Sequence, residues 1–204
     1  MLERRQALRL ERKRQLLGTA TASCVECGIN DVRVLQRNGK RKTVLCHSCF
    51  RKRSGVTVSS VDQRRSTLAV AGYTNAECAS CGEATIETLE LHHIAAEANS
   101  SEVVPLCLNC HAVASDAQED TVVDFRLRED DRSPLLTQAA YQIGVAIFLG
   151  LLVLFASRIS ETQRTSFANI AASLWTWASW NVMAHAHFTE MLGSKYASTL
   201  KGSS

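Results

Sequence analysis

The sequence lacks an apolar segment at its start, charged residues in one long internal segment, and more than a few basic residues after that segment. Its first residues, Met-Leu-Glu-Arg-Arg, are charged and contain no apolar core region, so a secretory signal peptide is not expected. Residues 139–157 contain no charged residue, and only four of the 23 Lys and Arg residues follow that segment. Charged residues make up 21% of the chain and apolar residues 46%, which argues against general disorder.

The eight cysteines all fall into four CxxC pairs. In a chain without a secretory signal, paired CxxC spacing indicates bound metal in a reducing compartment rather than disulfides. Four thiolates make a closed tetrahedral site, which is typical of structural zinc. We therefore expect two zinc ions, one in each quartet: Cys24, Cys27, Cys46 and Cys49 in the first, and Cys78, Cys81, Cys107 and Cys110 in the second.

The first quartet brackets a predicted β-hairpin. Alternating apolar residues begin at Val32, and Asn38-Gly39 is a typical two-residue hairpin turn. A hairpin between two zinc-binding cysteine pairs is a zinc ribbon. Its basic residues favour contact with nucleic acid over contact with protein. These residues are Arg33, Arg37, Lys40, Arg41, Lys42, Arg51, Lys52 and Arg53.

The second quartet encloses histidines that its zinc does not require. The chain has CxxCG at 78–82, LHHI at 91–94 and VPLCxNCH at 104–111. In order, spacing and residue type, these motifs resemble the zinc-bearing version of the HNH endonuclease motif, over about 35 to 45 residues. The resemblance implies the ββα-metal fold, with a strand that ends in two histidines and a helix that carries the third.

The resemblance also implies roles for individual residues. In that family, the first residue of the HH pair and the histidine after the last cysteine bind a catalytic divalent ion, which assigns His92 and His111. The ion implied is Mg, Mn, Ni or Zn. The second residue of the pair is the general base that deprotonates water, which assigns His93. Glu102 is the remaining catalytic position, and it stands where the family has an Asn that pins the loop and orients the base.

The N-terminal third is strongly basic. Residues 1–65 contain 16 Lys or Arg against 5 Asp or Glu. Residues 2–17 lack Gly and Pro and predict a helix that ends at Gly18. Its basic residues are expected to neutralise DNA or RNA phosphates, to form a solvated surface, or to contact anionic lipid.

The uncharged segment 139–157 has 19 residues, close to the length that crosses the ~30 Å hydrocarbon layer of a bilayer. Because it is apolar on all sides, a transmembrane helix is favoured over a buried core helix. A weaker apolar segment carries Trp175, Trp177 and Trp180, and is expected to lie on the membrane, form a second span or make an oligomer contact. The excess of Lys and Arg before both segments predicts that the N-terminal head is cytoplasmic.

The expected fold class is therefore α+β, with small zinc-stabilised modules followed by a C-terminal transmembrane helical region. The expected function is membrane-anchored hydrolysis of DNA, which is favoured over RNA. The alternatives are a catalytically inactive nucleic-acid-binding or adaptor protein tethered to the membrane, and a soluble protein that forms a homo-oligomer through its C-terminal helices. The expected boundaries are a basic helix at 1–18, the zinc ribbon at 19–60, the HNH-like domain at 61–120, a linker at 121–138, the transmembrane helix at 139–158 and a second helix at 165–193.

Overall fold

The computed structural model describes residues 2–18, 22–38, 43–55, 57–95, 100–119, 121 and 133–201. The strands pair in two antiparallel hairpins, so the chain is a mixed α+β protein, as the sequence predicts. In chain order, the elements are α1 (Leu2–Leu17), β1 (Leu35–Asn38), β2 (Thr43–Cys46), α2 (His47–Ser54), α3 (Val58–Val70), β3 (Leu89–His93), β4 (Val103–Cys107), α4 (Leu108–Glu119), α5 (Pro134–Phe155) and α6 (Glu161–Lys201).

The two cysteine quartets lie in modules built on one plan. In each, a CxxCG turn is followed by a short 3-10 helix, a two-stranded hairpin and a helix that begins directly after the second strand. The register also agrees, since Leu35 pairs with Cys46 in one hairpin and Leu89 pairs with Cys107 in the other. The connections between the strands differ, with four residues in the first and nine in the second. We call residues 22–54 the first module and residues 76–119 the second module.

The first module contains a helix that the zinc ribbon expectation did not include. Helix α2 starts at His47, inside the second cysteine pair. Cys46 caps this helix, because its Sγ accepts a hydrogen bond from the backbone N of Cys49 at 3.4 Å. Of the expected Asn38-Gly39 turn, Gly39 lies outside the described residues.

Helices α1 and α3 are attached to the modules by side chains that reach backbone carbonyls. The Nζ atom of Lys13 on α1 donates to the carbonyl of Arg33 at 2.6 Å. Nη1 of Arg64 on α3 donates to the carbonyl of Leu89 at 2.6 Å. Leu68 of α3 is buried in the core that these elements share.

Helix α5 is long and apolar enough to cross a membrane. It begins before the expected segment because Ser133 caps it and Pro134 fits the first helical turn. The Ser133 Oγ accepts a hydrogen bond from the backbone N of Leu136 at 3.4 Å. Helix α6 packs against α5 in the antiparallel direction and runs beyond the 165–193 range expected for it.

Helix α5 also packs directly against the second module. In a buried contact, the Oγ of Ser80 donates to the carbonyl of Leu151 at 3.2 Å. Near the middle of α5, Gly144 lies so close to the second module that an added Cβ would be 2.2 Å from the carbonyl oxygen of Ile94. Helix α5 therefore belongs to the same core as the two modules, although its composition also suits a membrane.

Candidate metal centres and histidine site

The four cysteines of the first module converge on one point. Their sulfur atoms all lie within 4.8 Å of one another. Cys24 and Cys46 are buried, Cys49 is half-buried and Cys27 is exposed. Gly28, directly after Cys27, has a φ of 75°, a left-handed conformation that glycine adopts without strain and that closes the CxxCG turn.

The second module arranges its cysteines in the same way and buries them more deeply. Cys78, Cys107 and Cys110 are buried, and Cys81 is half-buried. The backbone N of Cys81 donates to the Sγ of Cys78 at 3.5 Å. Hydrogen bonding from Cys107, and from the other two thiols, lowers the pKa of the Cys78 thiol far below its ordinary range. A thiolate is thus favoured at the position where a metal ligand is needed.

The spacing of the sulfur atoms fits zinc. In a tetrahedral site with Zn–S bonds of about 2.3 Å, neighbouring sulfurs lie about 3.8 Å apart. The Sγ atoms of Cys27 and Cys46 are 3.7 Å apart, and those of Cys81 and Cys107 are 3.6 Å apart. Both quartets could therefore bind zinc, as the cysteine spacing predicts.

Two of the three predicted site histidines lie side by side. His92 is on β3 and His111 is in the first turn of α4, and their ring centroids are 5.0 Å apart at an interplanar angle of 83°. Burial, followed by the neighbouring imidazoles of His111 and His93, lowers the pKa of His92 to about 4. Burial also lowers the pKa of His111, against the opposing effect of Glu90. Both rings are thus neutral near pH 7, the form that binds a metal.

His93 is held separately. Because side chains alternate along a strand, its ring projects from the face of β3 opposite to that of His92. Its Nδ1 lies 2.9 Å from the carbonyl oxygen of Ser100. A carbonyl oxygen can only accept, so this contact places the proton on Nδ1 and leaves Nε2 free to accept another.

Glu102 closes the loop between β3 and β4 mainly through its backbone. Its carbonyl accepts from the N of Ile94 at 3.1 Å, and its own N donates to the Oγ of Ser100 at 3.0 Å. The exposed carboxylate hydrogen-bonds to Tyr141 and thereby raises the pKa of that phenol. Glu102 thus shapes the segment that contacts His93.

Two residues near the histidine pair were missed by the sequence analysis. An Oε2 atom of Glu90 lies 3.8 Å from the Nδ1 of His111. The Nε2 of Gln118 lies 3.5 Å from the Nε2 of His92 and donates to the carbonyl of Ile94 at 3.1 Å. Sequence spacing could have identified both residues, because it places each on the same face as a histidine. Glu90 precedes His92 by two positions on a strand, and Gln118 follows His111 by two helical turns.

A third metal ligand beside the histidine pair is missing from the described residues. There, only the two cysteine quartets bring three or more His, Cys, Asp or Glu ligand atoms within 4.8 Å of one another. Asp116, which follows His111 on α4, is instead paired with Arg9 of α1, with 2.9 Å between Oδ1 and Nη2. Among the described residues, the arrangement therefore offers two neutral imidazoles without a third side chain of these types grouped with them.

Half of the predicted nucleic-acid-binding residues are paired with carboxylates. Arg37 is exposed, and Lys40, Arg41 and Lys42 lie outside the described residues. Each ion pair reduces the charge available to a phosphate. The pairs are Arg33 with Asp31 at 2.6 Å, Arg51 with Glu90 at 3.8 Å, Lys52 with Glu83 at 3.1 Å, and Arg53 with Glu26 at 3.0 Å.

The described residues thus contain two cysteine quartets suited to zinc and, beside the second quartet, a pair of imidazoles of which His92 is buried and His111 is half-buried. The likeness to the HNH motif rests on the residues of the second module alone. In comparison with known proteins, no family model, curated protein or solved structure matches the chain.

Proposed function

We propose that this chain is a metal-dependent endonuclease of the HNH type that hydrolyses phosphodiester bonds of DNA. The observation that carries the proposal is the imidazole pair of His92 and His111, with ring centroids 5.0 Å apart, together with His93, which follows His92 in the chain and is oriented by a backbone carbonyl. The order of hairpin and helix in the second module supports it, because it agrees with the ββα arrangement that the resemblance implies. Zinc on the second quartet would hold β4 and α4 to the CxxCG turn.

The spacing of the imidazole pair suits a shared divalent ion. Two imidazoles bound to one ion at about 2.0–2.1 Å have ring centroids about 5 Å apart. His92 and His111 would therefore hold Mg, Mn, Ni or Zn, and Glu90 would orient His111 from behind. Such an ion would supply positive charge that stabilises the phosphate and the leaving oxygen.

His93 acts as the general base in this proposal. Its Nε2 takes a proton from water while the water oxygen forms a bond to phosphorus and the bond from phosphorus to the leaving oxygen breaks. The carbonyl oxygen of Ser100, 2.9 Å from Nδ1, accepts a hydrogen bond from the Nδ1–H group and so stabilises the charged imidazolium. Glu102 acts as a positioning residue, because its backbone contacts fix the segment that contains Ser100.

The basic residues of the first module and of α1 would hold the phosphate backbone. Contacts of this kind fix position and carry little sequence information. Arg51 and Arg64 both approach Glu90, which in turn lies beside His111. They are the cations best placed to meet a phosphate that enters the histidine site. We propose DNA as the substrate on the strength of the motif, with RNA as the second choice.

Plasmid nicking by the purified full-length chain, with added Mg or Mn, tests the proposal. We expect His93→Ala to lower the nicking rate by about 10²- to 10⁴-fold with zinc content unchanged, because only the proton acceptor is removed. His187→Ala, which removes an exposed imidazole on α6, is the matched control and should retain full activity. Equal rates for wild type and His93→Ala would exclude His93 as the base.

A second candidate is a catalytically inactive zinc protein that binds nucleic acid or serves as an adaptor. The observation that favours it is that, among the described residues, no third His, Cys, Asp or Glu joins the histidine pair with all ligand atoms within 4.8 Å of one another. For this function, we expect the chain to bind plasmid DNA and slow its migration in a gel-shift assay, but to leave it uncut with Mg, Mn, Ni or Zn. Nicking that depends on His92 and His111 would exclude it.

For the apolar helix, we infer that α5 is a core helix of the zinc-binding head. The inference is supported by the contact of Gly144 with Ile94 and by the hydrogen bond from Ser80 to Leu151. Gly144 and Leu151 both lie within the part of α5 that a bilayer would enclose. The competing proposal is a membrane anchor with a cytoplasmic head, supported by the length and composition of α5 and by the basic residues that precede it. Retention of the intact chain in a carbonate-washed membrane pellet would favour the anchor, and its release would favour the core helix.

A further inference from the structure

Helix α6 has an exposed apolar face beside the face that packs on α5. Ala178 is fully buried, whereas Ile170 is 49% exposed, Trp177 58%, Trp180 64% and Phe188 53%. These four side chains follow one another at helical spacing, so they lie on one side of the helix. They extend over 18 residues, or about 27 Å. We call this surface the 170–188 face.

The 170–188 face lies in a stretch without charge. Residues 165–189 contain no Asp, Glu, Lys or Arg, and the nearest charged residues are Arg164 and Glu190. The outer side of a solvated helix normally carries charged residues. A surface without charge does not repel its own copy and offers nothing to select a partner of opposite charge.

The side chains of the 170–188 face have the same order of sizes from either end. A large apolar residue at each end is followed by a small residue, and a pair of tryptophans occupies the centre. If two copies of α6 pair in antiparallel fashion about a two-fold axis near residue 179, the N-terminal end of the face in one copy contacts the C-terminal end in the other. The small residue near each end then contacts the small residue near the opposite end of the second copy. The opposed pairs are Ile170 with Phe188, Ser173 with Ala184, and Trp177 with Trp180.

We propose that the 170–188 face is the interface of an antiparallel homodimer. A two-fold interface requires a surface that is complementary to itself, which the order of residues provides. At about 200 Å² per large side chain, the four large residues expose about 450 Å², and Met183, one helical turn after Trp180 at the edge of the face, adds about 120 Å². That sum is at the upper end of the roughly 300–600 Å² range for the largest apolar patch of a monomer, and is about 70% of the roughly 800 Å² per partner of a standard interface.

A second copy fits this face better than a lipid bilayer. Tryptophans that anchor a spanning helix lie at the headgroup level near its ends, whereas Trp177 and Trp180 lie in the middle of the uncharged stretch. A helix that lies on a membrane surface carries Lys and Arg on its polar side, and residues 165–189 have neither.

Light scattering of the full-length chain after size exclusion tests the proposal. We expect a mass of about twice 22.4 kDa for the wild type and a shift to the monomer mass for Trp177→Glu at the same concentration and zinc content. Ser179→Glu places the same charge on an exposed position two residues away, on another side of α6, and should remain a dimer. A wild-type monomer, or equal masses for the two variants, overturns the proposal.

Cross-linking tests the antiparallel arrangement without relying on a destabilising substitution. Mild oxidation of the zinc-loaded double variant Ser173→Cys with Ala184→Cys should give a covalent dimer, because residue 173 of one copy meets residue 184 of the other. Ser173→Cys alone should not, since the two copies of residue 173 would lie about 16 Å apart along the helices. Cross-linking by the single variant overturns the antiparallel register. A monomeric chain that binds phosphatidylcholine–phosphatidylglycerol vesicles through Trp177 assigns the face to lipid and also overturns the proposal.

Discussion

Ser48 and Asn109 are hydrogen-bonded to each other across the two modules: the backbone N of Ser48 donates to Oδ1 of Asn109 at 3.2 Å. Each residue lies two positions after the cysteine that ends its hairpin, Cys46 in one module and Cys107 in the other. The N-termini of α2 and α4 therefore meet directly beside both candidate zinc sites. The two modules therefore share a junction.

The first prediction concerns this junction. Asn109→Ala leaves the backbone N of Ser48, a buried residue, without its acceptor and should lower the free energy of unfolding by about 1 to 2 kcal/mol. Asn109→Asp keeps an acceptor oxygen and should be less destabilising. Urea unfolding at constant zinc concentration measures both, and equal losses for the two variants would mean that the hydrogen bond is not what Asn109 contributes.

The second prediction concerns zinc stoichiometry. Because each quartet closes its own tetrahedron, Cys49→Ser and Cys110→Ser should each lower the zinc content from two ions per chain to about one. Ser54→Ala, at the other end of α2, should keep both ions and serves as the control. Metal analysis after gel filtration gives the answer, and two ions in either cysteine variant would contradict the four-sulfur assignment.

The third prediction concerns acid stability. Burial lowers the pKa of His92 from 6.5 to about 4, so between these values the unfolded chain binds a proton at His92 that the folded chain does not. Stability from this group is complete above pH 6.5 and falls as the pH drops toward 4, by up to about 1.4 kcal/mol per pH unit. Between pH 7 and pH 5, the wild type should thus lose about 2 kcal/mol more than His92→Gln. Exposed His187→Gln should follow the wild type, and parallel losses in all three proteins would show that His92 does not control the acid response.

The cysteine quartets were predictable because CxxC spacing encodes them locally. A CxxC turn places two sulfurs together wherever the chain goes, and Cys78, Cys81, Cys107 and Cys110 need only one hairpin to meet. The apolar character of α5 was equally predictable, because it is also a local property of the sequence. The acidic partners of Arg51 and Lys52 were not predictable from the sequence. Glu90 and Glu83 come from the other module, and a count of charges does not show which residues pair in space.

The packing of α5 was the least predictable feature, since an apolar run has the same composition in lipid and in a protein core. One signal was present in the sequence. Gly144 interrupts the run with the residue that weakens a helix, and a glycine at such a position often marks a close approach of another segment. The structure places the carbonyl of Ile94 at that position.

Gly144 therefore supports the last prediction. In Gly144→Ala, the new Cβ would lie 2.2 Å from the carbonyl oxygen of Ile94, a backbone atom that cannot rotate away, so α5 and the second module must separate. We expect a loss of about 2 to 4 kcal/mol in the free energy of unfolding, in the range of severe overpacking. Gly150 lies in the same helix with nothing within 4 Å of an added Cβ, so Gly150→Ala should be neutral or stabilise α5 by up to about 1 kcal/mol. Thermal unfolding of both variants distinguishes a core helix from a membrane span, because a span detached from the head would tolerate Gly144→Ala as well as it tolerates Gly150→Ala.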